Sequence, residues 1–240
     1  VLVSFAAEQG ITYPLLSDTG SEVIRQFGIL NTLISPDEDR FSISYPGVYV
    51  TDEQGTVVEK MFHREYAVRA SVAGILHDIL GSEFQINDNP RADVEGPGVR
   101  VSAALGEDSL TFMQQTPLFV RMDLDPGLHV YGEPVPDGFV TTEITVSPVE
   151  GLRIGDVKAP PTHTFQVEGV ATPFEVFEGD LEFTIPLVSE LREQPSVTLD
   201  ITVRYQACDD RQCFLPQTKT LSIEVPLAGL NRPPRPPAAS

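Results

Sequence analysis

Two regimes of hydrophobic patterning divide the chain. Over residues 1–84 helical and extended periods alternate. Val1–Gly10 reads as the tail of a helix closed by a glycine, and Ile11–Leu16 as a short apolar strand. The turn Ser17-Asp18-Thr19-Gly20-Ser21 leads into a helix with Ser21 as N-cap and Glu22 in its first turn. That helix carries Val23, Ile24 and Phe27 on one face and stops at Gly28. After a polar loop, Gly47–Thr51 and Thr56–Phe62 predict a hairpin turning at Asp52-Glu53-Gln54-Gly55. Val72, Ile75, Leu76, Ile79 and Leu80 recur at helical spacing and predict a last helix ending at Gly81. This order predicts an α/β domain with a mixed sheet.

Residues 85–98 are rich in Asn, Asp, Pro and Gly and read as a linker. From Val99 onward the helical period gives way to short alternating runs: Val99–Leu105, Leu110–Met113, Leu118–Leu124, Val140–Val146, Leu181–Leu187, Val197–Tyr205 and Thr218–Val225. Turns such as Asp125-Pro126-Gly127 separate them. Seven or more short strands without a helix predict an all-β, immunoglobulin-like sandwich over residues 99–227. Residues 228–240 form a proline-rich tail that offers no core. The expected architecture is therefore multidomain: residues 1–84, a linker, a sandwich and a tail.

Charge narrows the partners. The formal net charge of −19 is shared by both parts, −8 over residues 1–88 and −11 over 89–240. Neither part offers the basic stripe that nucleic acid requires, and an anionic membrane surface is disfavoured for the same reason. No run of apolar residues is long enough to span a bilayer. The sequence begins at Val1 without a charged, then apolar, leader pattern, so a signal peptide is expected to be absent or already removed.

Two cysteines occur, both in one window: Tyr205-Gln206-Ala207-Cys208-Asp209-Asp210-Arg211-Gln212-Cys213-Phe214-Leu215-Pro216. Four intervening residues make a hairpin loop, which sets the two sulfurs face to face across its base within disulfide reach. Three readings compete: a redox dithiol, a structural staple and half of a metal site. A bridge closing six residues stabilises by only about 2 kcal/mol in the chain-entropy account, against almost 5 for a hundred-residue loop. That weakens the staple, whereas a short loop favours fast re-closure. His63, His77, His129 and His163 show no ligand spacing, so no metal or other cofactor is expected. Asp209 and Asp210 would raise a neighbouring thiol pKa and Arg211 would lower it, which leaves the attacking cysteine open.

Two resemblances add to this reading. Tyr205-Gln206-Ala207-Cys208, Cys213-Phe214-Leu215-Pro216 and Gln217-Thr218-Lys219 resemble the active-site segment of the N-terminal domain family of DsbD, a bacterial thiol:disulfide interchange protein. Weaker similarity runs through Gly127–Tyr131 and Phe174–Pro186. The resemblance implies an immunoglobulin-like fold and thiol–disulfide exchange through Cys208 and Cys213. It implies thioredoxin-like donors or acceptors as partners, in a periplasmic or other extracytoplasmic compartment, although the residues themselves leave the cytoplasm open. It places Tyr131 and Tyr205 near the pair, and Val170–Phe174 where the family has a loop capping the disulfide, with Phe174 either the aromatic of that cap or an ordinary core side chain. The rival reading is an immunoglobulin-like interaction module with an inert hairpin bridge. In the first part, Tyr13–Asp18 and Tyr45–Gly55 resemble the second half of the peroxiredoxin-like redoxins (alkyl hydroperoxide reductase/thiol-specific antioxidant). That resemblance implies a truncated thioredoxin-like domain with Pro46 as a cis-proline candidate. Residues 1–84 contain no cysteine, so no peroxidase activity is expected of them.

Overall fold

The computed structural model describes residues 2–83, 88–135, 137–166, 173–192 and 194–229. The chain divides into two units, Val1–Arg69 and Ala70–Gly229. The first contains helices α1 (Leu2–Glu8) and α2 (Glu22–Gln26) and one antiparallel hairpin, β1 (Gly47–Thr51) with β2 (Val57–Phe62). Asp52 shapes the hairpin turn by accepting from the backbone N–H groups of Gln54 and Thr56 at 3.0 and 2.8 Å. An aromatic file of Phe27, Tyr49 and Phe62 packs beneath it.

Several expectations for this unit change. Ile11–Leu16 forms no strand, and Tyr13 and Leu16 are exposed, because no neighbouring strand completes a ladder for the segment. The only described sheet here is the two-stranded hairpin, so the expected mixed sheet is not formed. Ser21 adopts a left-handed conformation and makes no side-chain cap; its hydroxyl donates to the Ser42 carbonyl instead. Asp18 caps α2 in its place, accepting from the N–H groups of Glu22 at 3.0 Å and Ile24 at 2.9 Å. The Tyr45–Pro46 bond is trans, and the cis bond among the described residues is Glu133–Pro134. Pro46 leads straight into β1, and its carbonyl accepts from the His63 N–H, so the extended trans chain meets the hairpin directly.

Strand β3 (Arg69–Ala70) lies at the division between the units, and helix α3 (Val72–Leu80) belongs to the second. Ser71 caps α3 through the Gly74 N–H, Glu107 accepts from the Ala73 N–H, and Gly81 ends the helix with φ 59°. Polar contacts hold α3 in place: the His77 ring hydrogen-bonds Glu182 at 2.9 Å and Asp78 pairs with Lys158 at 2.7 Å. The helix was expected with the first domain; these contacts place it on the second. They also explain why Thr116–Val120 reads as a continuous buried run, since the Phe119 ring is covered by His77.

The remaining strands are β4 (Arg91–Gly96), β5 (Val99–Leu105), β6 (Leu110–Thr111), β7 (Gln114–Leu124), β8 (His129–Tyr131), β9 (Glu143–Val146), β10 (Leu152–Ile154), β11 (His163–Phe165), β12 (Phe174–Glu178), β13 (Asp180–Ser189), β14 (Ser196–Tyr205), β15 (Ala207–Cys208) and β16 (Gln217–Ala228). One sheet runs β10-β13-β7-β5-β4, a second β6-β16-β14-β9, and a third β11-β12-β8-β15. Val101, Leu118, Val120, Phe183 and Ile185 of the first sheet meet Leu199, Ile201, Val203, Leu221 and Ile223 of the second in one core. Strict alternation along β14, with Val197, Leu199, Ile201, Val203 and Tyr205 inward, is what lets two antiparallel sheets close face to face. The result is the expected β-sandwich, immunoglobulin-like in broad class. Residues 91–96, expected as linker, are instead an edge strand in register with β5. The 230–240 part of the proline-rich tail, with 84–87 at the linker, lies outside the described residues.

Candidate functional site

The third sheet carries the chemistry. Its strands are short, and β8 lies in the middle, pairing His129 with Glu178 of β12 on one side and with Cys208 of β15 on the other. Side chains two apart on a strand share a face, so His129 and Tyr131 project to the same side of β8. Directly opposed partners also share a face, which adds Cys208 to that group.

Cys208 and Cys213 form a disulfide, with their Cα atoms 4.0 Å apart across an isolated antiparallel bridge. The loop between them is held without help from the sulfurs. Asp209 accepts from the backbone N–H groups of Arg211 and Gln212, both at 2.7 Å, and donates its own N–H to the Gln212 carbonyl. The two backbone donors hold the Asp209 carboxyl below its usual pKa. Gln206, nearly buried, ties the loop to its surroundings: its amide accepts from the Val140 N–H at 3.1 Å and donates to the Phe214 carbonyl at 3.2 Å.

The two sulfurs occupy unlike environments. Cys208 is 1% exposed and belongs to a small core with Tyr131, Phe174 and Val176, whereas Cys213 is exposed. The Tyr131 hydroxyl donates to Cys208 Sγ at 3.2 Å and lies 3.7 Å from Cys213 Sγ. Burial pushes the Tyr131 phenol up, so the hydroxyl remains a donor. Phe139 and Phe174 pack on the Tyr131 ring at 5.0 and 5.9 Å between centroids.

A cleft of about 550 Å³ opens onto this arrangement. Its walls are His129, Tyr131, Phe139, Phe165 and Phe174, and its rim is the loop Asp209–Cys213. A thiol reaching into it meets Cys213 first, with Cys208 behind. Among the described residues no cluster of three or more metal-ligating side chains is present.

Of the residues read from the sequence, Cys208, Cys213, Tyr131 and Phe174 come together. Tyr205 does not: it packs wholly in the main sandwich core, its hydroxyl buried without a hydrogen-bond partner, beside Gly96. The alternation of β14 turns Tyr205 inward and leaves its neighbour Gln206 to reach the cysteine loop. Val170 to Thr172 of the expected capping stretch lie outside the described residues. His129, Phe139, Phe165 and Gln206 were missed. The period-two spacing of His129 and Tyr131 within Gly127–Tyr131 was the available signal for the first; Phe139 and Phe165 reach the site through tertiary packing and left none.

Residues 103–224 match the family described as thiol:disulfide interchange protein DsbD, N-terminal, and residues 1–60 match the AhpC/TSA family. No curated protein matches the chain. Among solved structures, the N-terminal periplasmic domain of ScsB from Proteus mirabilis is similar at 17% identity and a TM-score of 0.42, over 57% of this chain and 53% of that one. This chain thus spans about half the length of that relative. The reduced N-terminal domain of DsbD from Neisseria meningitidis is similar at 14% identity and a TM-score of 0.34, over 57% of this chain and 85% of the other. A structure of the complex between the DsbD and PilB N-terminal domains of the same organism aligns at 13% identity and a TM-score of 0.34, over 44% of this chain and 73% of the other.

Proposed function

The chain belongs, through residues 103–224, to the N-terminal domain family of the thiol:disulfide interchange protein DsbD, and from that premise we propose that Cys208 and Cys213 are its exchanging pair. The observation that carries this reading is the asymmetry of the disulfide: one sulfur exposed at an aromatic cleft, the other buried under a tyrosine hydroxyl. A staple needs no such cleft and no donor aimed at its sulfur.

The exposed sulfur is the one attacked. A partner thiolate approaches Cys213 Sγ through the cleft, the Sγ–Sγ bond breaks, and its electron pair leaves on Cys208 Sγ. Cys213 is then joined to the partner in a mixed disulfide. The Tyr131 hydroxyl, already directed at Cys208 Sγ, stabilises the charge that develops there. The partner's second thiolate resolves the mixed disulfide and releases Cys213 as a thiolate, which takes a proton from water. The partner leaves oxidised and the domain reduced; the reverse sequence returns the electrons. Partners are thiol or disulfide proteins of thioredoxin type, and the reading places the reaction outside the cytoplasm. Residues 1–60 belong to this reading as a redoxin-related segment, part of a thioredoxin-like module, that supplies no thiol of its own.

Trapping tests the assignment. Cys208→Ser should accumulate a mixed disulfide with a thioredoxin-like partner through Cys213, and Cys213→Ser should not. A redox titration gives the second criterion: a potential below about −300 mV would mark an inert structural bridge and overturn the reading.

A further inference from the structure

One polar group in the cleft has no role in the exchange just described. His129 is 3% exposed, yet it lines the cleft beside the disulfide. Its ring stands edge-on to Tyr131 at 5.4 Å and leans on Phe165 at 4.7 Å. A phenylalanine would fill the same aromatic slot, whereas an imidazole can also hold a proton for an anionic partner. The ladder indicates which one. His129 is the residue directly opposite Cys208, and opposed strand residues hold their Cβ atoms about 4.5–5.5 Å apart on one face.

We propose that His129 is a positioning residue of the exchange reaction, taking up a proton when the disulfide opens and pairing as imidazolium with the buried Cys208 thiolate. The inference rests on the exchange reading above. When the electron pair leaves on Cys208 Sγ, a full negative charge arises in a site that excludes water on most sides. One solvent proton moves to the imidazole, and the pair is neutral overall. On re-oxidation, Cys208 Sγ attacks the mixed disulfide at Cys213, the partner leaves as a thiolate, and His129 returns its proton to solvent.

The groups facing His129 set the balance. Burial holds its pKa below the ordinary imidazole value in the disulfide form. Glu178, its other ladder partner, works upward, as do Asp210 and Asp209 of the loop; His163 of β11 works downward and shares Glu178 at 3.3 Å. Tyr131, on the same strand, is neutral. These opposing charges leave the imidazole neutral while the sulfurs are joined. A thiolate on the opposed residue adds a close negative charge, which raises an imidazole pKa by about 1–3 units.

Proton NMR of the intact chain tests this directly, by following the His129 Cε1–H resonance, assigned through its backbone, against pH. The midpoint should lie below about 6.5 with the disulfide closed and rise by about one unit or more with it reduced. In parallel, the thiolate absorbance of the reduced protein at 240 nm should persist to lower pH in wild type than in His129→Gln, with about tenfold less thiolate at neutral pH in the variant. An imidazole midpoint that is the same in both redox forms, or a thiolate curve that His129→Gln leaves unmoved, would overturn the inference while leaving the exchange reading in place. Failure of the wild type to exchange with hydroxyethyl disulfide, a small neutral probe, would remove the exchange reading and this inference with it.

Discussion

Replacing Tyr131 with Phe isolates one atom of the site. The ring stays packed against Phe139, Phe174 and His129, and only the hydroxyl that reaches both sulfurs is lost. A disulfide sulfur is a weak acceptor and a thiolate a strong one, so the bond strengthens as Cys208 Sγ takes up charge. Hydrogen bonds to charged groups contribute about 1.5–3 kcal/mol and neutral ones about 0.5–1.5, which puts the differential near 1.4 kcal/mol. For a two-electron couple that corresponds to about 30 mV. If the bond is formed in the transition state, it is also about tenfold in rate. The sign follows from which state loses more: Tyr131→Phe destabilises the opened form, so its potential becomes more negative and opening slows. Equilibration against glutathione redox buffers gives the potential, and stopped-flow reduction by dithiothreitol near neutral pH gives the rate. A folded variant with a potential within about 10 mV of wild type and a rate within about twofold would show that the hydroxyl does not act on the leaving sulfur.

Other expectations follow from the packing. Reducing the disulfide, or replacing both cysteines with Ser, should lower stability by only about 2 kcal/mol, because a six-residue loop is closed; urea melts with and without reductant measure it, and loss of the folded state on reduction would contradict a shuttling role. Gly96→Ala would drive a Cβ into the Tyr205 hydroxyl and to 3.0 Å from Lys219 Cε, and should cost about 1–3 kcal/mol. Tyr205→Phe removes a buried hydroxyl with no partner, so it should be neutral or stabilising alone and should recover part of the Gly96→Ala loss in a double-mutant cycle. At Asp78 burial works against ionisation, but hydrogen bonds from Lys158 and His77 outweigh it and hold the carboxyl below its ordinary pKa. Such a depressed group stabilises the fold above its unfolded pKa and loses that contribution as pH falls through the folded value. Asp78→Asn should therefore cost about 0.5–1 kcal/mol at neutral pH, Lys158 being half exposed, and nothing in strong acid; thermal melts across pH read the difference.

How far the sequence carried depended on how local each cause was. The strands β5, β14 and β16 were legible because burial on one face imposes period two on every residue. The cysteine loop was legible because its length alone fixes a hairpin. Ser21 misled because its position beside Glu22 suits a cap, while Asp18, four residues upstream of Glu22, has the carboxylate that reaches both donors. Ile11–Leu16 misled because an apolar run specifies a strand only when another strand is there to pair with it. The α3 helix was predicted at the right residues but assigned to the wrong unit; its periodicity says that it has an apolar face, and only His77 and Asp78 meeting Glu182 and Lys158 say where it is held. Within the site, the cysteines and Tyr131 announced themselves through motif and spacing. The asymmetry between the sulfurs did not, since it arises from sheet order, with β15 at an edge and the loop beyond it turned to solvent.

The way the Cys208–Cys213 loop is clamped has a kinetic consequence. Asp209 fixes the turn through backbone donors, Gln206 bridges Val140 and Phe214, and the Phe214 N–H bonds to the Ala207 carbonyl; none of these passes through sulfur. Opening the bond therefore leaves the loop backbone in place, and only the two side chains turn apart. In the proposed exchange the backbone rearrangement that accompanies each two-electron transfer is small: the bonding changes at this loop and the scaffold around it stays still.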